Sequence, residues 1–215
     1  MTTVLWYGGG QDSTAILFML AFDKAFREQY VKGKLLVICS DTGNEFPETY
    51  SYIENVTKPF CKEQKIEFVH ITPDMGFHPK TWHSLQAQFE RNDGIMSVVT
   101  FPKTCTDNLK IKPCYNYLET YIKDKYGFEG TRKKAFYEYA EQFGKLQVMI
   151  GFGADEMTRL PCQTIPYCDL FGKAEIIKKR LQSCIRKKVC AKNLSAYRNR
   201  LYKNRLPDAN RKLWL

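Results

Sequence analysis

The sequence predicts an α/β protein, a parallel sheet with helices on both faces. Three observations predict it. Short apolar runs alternate with helical patterns from Thr3 to Ile150, the arrangement of strand–helix–strand units. A glycine triplet stands between the first apolar run and the first helical pattern. Hydrophobic residues make up 44% and aromatic residues 14% of the chain, enough apolar surface for a packed core rather than disorder.

Taken in order, Thr3–Tyr7 reads as the first strand. A helix from Asp12 to Gln29 follows, with Ala15, Phe18/Met19, Phe22 and Phe26 at helical spacing. Leu35–Ser40 is the second strand. Pro47 suits the first turn of a helix running to about Gln64, which Pro59 should kink or divide. Glu67–Ile71 is the third strand. From Thr72 to Pro102 the periodicity fails, and a loop-rich excursion is expected, with one helix near Trp82 to Arg91 and Ser97–Phe101 as a weaker strand. Excursions of this kind often cover a site. Pro113 opens a helix over Cys114 to Lys125, Thr131 to Phe143 reads as another, and Leu146–Ile150 is the next strand. Beyond it Ala174, Ile177, Leu181, Cys184/Ile185 and Val189 fall at helical spacing, with a second stripe at Leu194, Tyr197 and Leu201. The expected organisation is one α/β domain over residues 1–172 and a basic, mainly helical extension over 173–215.

Charge divides the chain at the same place. The formal net charge is +10, but residues 173–215 hold 14 Lys and Arg against 2 Asp and Glu. The excess is therefore a property of the extension. Arg186, Lys187, Lys188, Arg198, Arg200, Lys203 and Arg205 are candidates for nucleic-acid binding, since Tyr197, Tyr202 and Trp214 interleave stacking surfaces with cations. A solvated helical face accounts for the same residues, and both readings stand. No run approaches 18 apolar residues, so no membrane partner is expected. With no secretory signal pattern at Met1, a cytoplasmic protein is expected. The eight cysteines include no CxxC pair, which argues against a zinc knuckle or a disulfide framework.

The chemistry begins at the glycines. Strand Thr3–Tyr7 runs into Gly8, Gly9, Gly10, Gln11, Asp12, Ser13 and Thr14, and then directly into a helix. Glycines let backbone N–H groups turn towards a ligand, and the helix start adds its dipole. Ser13 and Thr14 bring hydroxyls, and Asp12 either caps the helix or helps to hold Mg2+. A phosphate group is the expected ligand. Walker GK[ST] spacing and the GxGxxG dinucleotide pattern are both absent.

The loop resembles the SGGxDS pyrophosphate (PP) loop of the ATP pyrophosphatase, or adenine nucleotide α-hydrolase, group, with Gly8 in place of the serine. Asp41-Thr42-Gly43-Asn44-Glu45-Phe46-Pro47-Glu48-Thr49-Tyr50 is similar to the DTGxxFPETY segment of the phosphoadenosine phosphosulfate reductase family. Cys105 to Pro113 is similar to that family's CTxxLKIxP stretch, and Gly151 to Arg159 to its GxRxDExxR stretch. The resemblance implies a Rossmann-like fold. Adenine and ribose would lie against Cys39, Ser40 and Asp41 and against Gly151 and Phe152, with phosphates on Gly8–Ser13. Lys110, Lys112 and Arg159 would meet the remaining anionic charge, and Thr42, Gly43, Asp155 and Glu156 are further nucleotide-binding candidates. Asp12, Lys110 and Arg159 are the catalytic candidates. Plainer roles remain open: Asp41 as a helix cap, Lys112 as a solvated lysine, Arg159 paired with Asp155 or Glu156.

The family name implies reduction, whereas the ECGxH-type cysteine motif of those reductases does not occur here. An iron–sulfur cluster is not expected either; a non-standard one would need Cys105 with Cys114, Cys162 and Cys168. The expected reaction is therefore cleavage of ATP at the α-phosphate to activate an unknown acceptor. Sulfonucleotide reduction is the first alternative. A weakly catalytic nucleotide-binding module, holding nucleic acid or a partner complex through the basic extension, is the second. Of the histidines, His70 reads as structural, while His78 and His83 would touch ligand if the excursion is a lid.

Overall fold

β-Branched and other apolar residues fill the runs assigned to strands, and these runs build the sheet. A computed structural model of the chain describes residues 1–81, 83–91, 106–130 and 134–151, together with the backbone of 185–189. Strands β1 (Thr2–Trp6), β2 (Lys34–Ser40), β3 (Glu67–Ile71), β4 (Leu146–Ile150) and β5 (Ile185–Val189) lie in the order β3-β2-β1-β4-β5, every neighbouring pair parallel. The helices, in chain order, are α1 (Gln11–Phe22), α2 (Lys24–Tyr30), α3 (Pro47–Tyr52), α4 (Lys58–Glu63), α5 (Leu85–Arg91), α6 (Lys112–Tyr126) and α7 (Lys134–Phe143).

Successive strand residues face opposite ways, so each central strand feeds two cores. Val4, Leu36, Ile38, Leu146 and Val148 pack beneath Leu118 and Ile122 of α6 and Phe136 and Tyr139 of α7. Leu5, Leu35, Val37 and Met149 pack against Ile16, Leu17 and Leu20 of α1, with Ile53 and Cys61. The expected α/β class, a Rossmann-like parallel sheet covered on both faces, is the fold observed.

Local departures have local causes. The helix expected over Asp12–Gln29 divides at Asp23, whose carboxylate accepts the Phe26 N–H at 2.9 Å and so caps α2. Arg27 Nη1 donates to Leu20 O at 3.3 Å, satisfying a carbonyl at the end of α1. Pro59 acts as expected, but by widening the helix rather than ending it. It lacks an N–H for the carbonyl four residues back, and Ile53–Thr57 form a π-turn in which Lys58 N–H reaches Ile53 O.

The helical stripe expected through Cys184/Ile185 and Val189 is corrected. Residues 185–189 form β5, paired with β4 from Leu146↔Ile185 to Ile150↔Val189. An apolar residue at each end of five serves a strand as well as one helical turn, and pairing with β4 decides between them. The sheet thus reaches into the sequence assigned to the extension. The 172/173 boundary, the Ser97–Phe101 strand and the Leu194–Leu201 stripe lie outside the described residues. Among the described residues, no helix is long and apolar enough to cross a membrane.

From β1 the chain moves to β2 on one side, and from β3 it returns to β4 on the other. The order reverses between β1 and β4. In open α/β sheets a ligand sits beyond the carboxyl ends of the strands at such a switch point.

Candidate nucleotide site

The glycine loop starts where β1 stops. Tyr7 N–H still donates to Ile38 O at 2.8 Å, and the chain then turns through Gly8–Gly10 into α1. Gly9 has φ +72°, and a Cβ there would stand 3.0 Å from Thr49 Cγ2. Gly8 and Gly10 differ, because a Cβ on either would meet nothing within 4 Å. Both face open space at a helix start that no side chain caps. The Ser13 and Thr14 hydroxyls turn inward and donate to Gly10 O at 3.0 and 2.9 Å. Gly8 N–H donates to Ser13 Oγ at 3.3 Å, and Tyr7 OH joins Thr14 Oγ1 to Thr57 Oγ1, each at 3.0 Å. These hydroxyls brace the loop from beneath.

Gly151, directly after β4, backs onto the same place. A Cβ on it would lie 3.0 Å from Ser13 N and 3.3 Å from Asp12 Cβ. The end of β4 and the first turn of α1 therefore touch at the switch point.

Beyond β2 the chain forms a charged knot. Asp41 Oδ1 accepts Gly43 N–H and Tyr50 OH, both at 2.7 Å. The first bond is a turn contact rather than the helix cap weighed for Asp41, since α3 is entered from Phe46 with no side-chain cap. Burial, with the Asp41 hydrogen bond and the Asp41 and Glu45 charges, pushes the Tyr50 phenol up to about 12, which keeps it a donor. Glu45 Oε1 accepts Thr42 Oγ1–H at 2.9 Å and pairs with Lys110 Nζ at 3.2 Å. Half-exposed pairs of this kind contribute about 0–1 kcal/mol to stability, so its interest lies in charge placement. Lys112 points elsewhere, pairing with Asp107 Oδ2 at 3.0 Å and hydrogen-bonding Asn108 Oδ1. Its plainer reading as a solvated lysine fits this geometry.

His78 anchors the excursion to this knot. It is 6% exposed, and Nε2–H donates to Asp41 O at 2.7 Å, with Ser40 Oγ at 3.3 Å. Ser40 Oγ–H donates in turn to Leu109 O at 2.7 Å, which sets the turn before Lys110. Further on, Leu85 N–H donates to Thr42 O at 3.0 Å, and Gln86 N–H to Asn44 Oδ1 at 3.2 Å. Gly43, at φ +75°, leaves no room for a Cβ, which would meet Ser84 Cβ at 2.4 Å.

Cys39, Cys61 and Cys114 are buried, and burial pushes all three thiols up to about 12. Cys114, on α6, belongs to the core, while Cys105, Cys162 and Cys168 lie outside the described residues. Among the described residues, no group of three His, Cys, Asp or Glu could hold a metal ion. Asp12 lies in the first turn of α1, beside the loop, and one carboxylate fits a magnesium ion that arrives on nucleotide phosphates and keeps its waters. A cleft of about 370 Å3 opens at the other ends of the strands, between Lys34, Glu67, Tyr121 and Lys125, and is not part of this site. Phe152, Asp155, Glu156 and Arg159 lie outside the described residues, as do Cys105 and the side chains of the basic candidates from Arg186 to Arg205.

The family described as phosphoadenosine phosphosulfate reductase domain matches residues 2–142, from β1 to α7. The chain belongs to that family. No curated protein matches the chain. As a phosphoadenosine phosphosulfate reductase-domain protein it is a member of the PP-loop adenine nucleotide α-hydrolase superfamily, whose ligands are adenine nucleotides. The family match covers the glycine loop, the Asp41–Tyr50 segment and the Lys110 turn, and ends before Gly151. Three parts of this reductase-domain site escaped the sequence reading: the Glu45–Lys110 pair, the bracing by Tyr7 and Thr57, and the His78 anchor. Glu45 occupies a variable position of DTGxxFPETY, and an acid placed there was the available signal.

Proposed function

We propose that the chain binds an adenine nucleotide across the carboxyl ends of β1, β2 and β4 and cleaves ATP at its α-phosphate. An acceptor oxygen attacks the α-phosphorus, the bond to the bridging oxygen breaks, and pyrophosphate leaves. The observation that carries this reading is the loop, where Gly8 and Gly10 face open space at an uncapped helix start on the switch point. Loop N–H groups would bind and orient the phosphates, and Asp12 would hold the nucleotide's magnesium, which supplies charge neutralisation when bound. In this reading Lys110, neutralised by Glu45, belongs to the ribose side, and Arg159 completes the phosphate side.

Adenylyl transfer is favoured over reduction by the sequence, which lacks the ECGxH-type cysteine motif. Cys39, Cys61 and Cys114, whose burial pushes their thiols up to about 12, are not nucleophiles in either reaction. The test is incubation with ATP, Mg2+ and candidate acceptors bearing carboxylate, carbonyl or nucleobase oxygens, with pyrophosphate as the readout. Pyrophosphate release abolished by Asp12→Ala supports the proposal. Tight ATP binding with no release favours the binding module. Sulfite release from phosphoadenosine phosphosulfate with thioredoxin overturns the proposal in favour of reduction.

A further inference from the structure

We infer that Glu45 sets the ribose specificity of the site, so that it takes an adenine nucleotide with free ribose hydroxyls and disfavours one carrying a further ribose phosphate. The inference rests on the nucleotide reading above and deepens it. In doubly wound sheets a carboxylate beyond the end of the second strand receives ribose hydroxyls, while a cation there accommodates a ribose phosphate. This chain has both kinds of group at that place. Asp41 ends β2, and Lys110 is held over the same end because Ser40 Oγ–H fixes the carbonyl of Leu109 at 2.7 Å.

The balance between them is decided by Glu45. Its Oε1 lies 3.2 Å from Lys110 Nζ, and Thr42 Oγ1–H, at 2.9 Å, holds the same oxygen in place. The carboxylate is thus oriented by a neighbouring hydroxyl and takes up the ammonium charge. Asp41, tied by Gly43 N–H and Tyr50 OH, then leaves the group of three with a net negative charge. Lys112, the next nearest lysine in sequence, is engaged with Asp107 and adds nothing here. A ribose hydroxyl donates well to such a surface, whereas a ribose phosphate meets carboxylates and a cation already paired. A phosphoadenosine, the substrate in the family's name, carries that additional phosphate.

The test compares AMP with adenosine 3′,5′-bisphosphate, which differ by one phosphate on the ribose, using calorimetry on the full chain. A non-hydrolysable ATP analogue serves as a third probe. The native protein is expected to bind AMP about fivefold or more tighter than the bisphosphate. Glu45→Gln keeps an oxygen for Thr42 but frees Lys110, and is expected to tighten the bisphosphate about fivefold to tenfold and so to erase the preference for AMP. Adding Lys110→Met to Glu45→Gln should abolish that gain. An unchanged preference in Glu45→Gln, with all probes binding, overturns the inference and leaves the nucleotide reading intact. A gain that survives Lys110→Met also overturns it, because Lys110 would not be the group released. Failure of all three probes to bind the native protein removes the nucleotide reading, and this inference with it.

Discussion

Alanine in the glycine loop separates what the backbone requires from what a ligand requires. At Gly9, φ is +72°, where an L side chain costs about 1–2 kcal/mol, and the Cβ would press on Thr49 Cγ2 at 3.0 Å. Alanine also narrows the unfolded ensemble, which offsets about 0.4–1 kcal/mol. The net destabilisation of Gly9→Ala is then about 1 kcal/mol, or a fall in Tm of about 2–4 °C for a chain of this size. Gly8 has no left-handed φ, and its Cβ would meet nothing within 4 Å. Gly8→Ala should leave Tm unchanged or raise it by about 1–3 °C. Affinity should follow the opposite order. On the proposed reading the Gly8 methyl would stand in the space a phosphate takes, and ATP binding should weaken by about tenfold or more, the loss of one good charge-assisted contact. Thermal melts followed by circular dichroism and titration calorimetry with ATP check both halves. If Gly8→Ala binds ATP as tightly as the native protein at an unchanged Tm, the open space is not a phosphate cradle, and the case for the loop collapses.

Two further outcomes test the anchor and the core. His78→Phe removes the donor to the partly buried carbonyl of Asp41 and should cost about 1–3 kcal/mol in urea denaturation. His78→Gln places an amide N–H at nearly the same reach and should recover most of it; equal losses in the two variants would mean that the ring's packing matters rather than its hydrogen bond. The buried thiols of Cys39, Cys61 and Cys114 keep their protons to about pH 12, whereas in the unfolded chain they lose them near the ordinary value of 9.0. Stability should therefore fall as pH rises from 9 towards 12, since over that window the unfolded state alone releases protons. Replacing all three by serine or alanine should flatten the high-pH limb, and a limb of unchanged slope would refute their part in it.

Much of the sheet was legible because a parallel strand buried on both faces must be an apolar run of fixed length. Leu35–Ser40 and Leu146–Ile150 are such runs, and each was found to within a residue. The loop was legible because three glycines between a strand and a helix leave few other readings. What stayed hidden depends on partners distant in sequence. Nothing near Ile185–Val189 announces that β4 will pair with it, and its apolar spacing suits a helix as well. The division at Asp23 turns on one carboxylate choosing Phe26 N–H over solvent. Glu45 and Lys110 are 65 positions apart in sequence, and only the fold, through Ser40 and Leu109, brings them to one place. The hydroxyls of Ser13 and Thr14 show a subtler limit: their residue types suggested ligand donors, but the nearest acceptor is the loop's own Gly10 carbonyl.

The excursion after β3 is riveted at two points, by His78 to the Asp41 carbonyl and by Leu85 and Gln86 to Thr42 and Asn44. Both rivets enter the same short turn beyond β2. Any shift of Asp41–Asn44 on filling the site is therefore handed to α5 through the Leu85 N–H bond to Thr42 O and the Gln86 N–H bond to the Asn44 side chain.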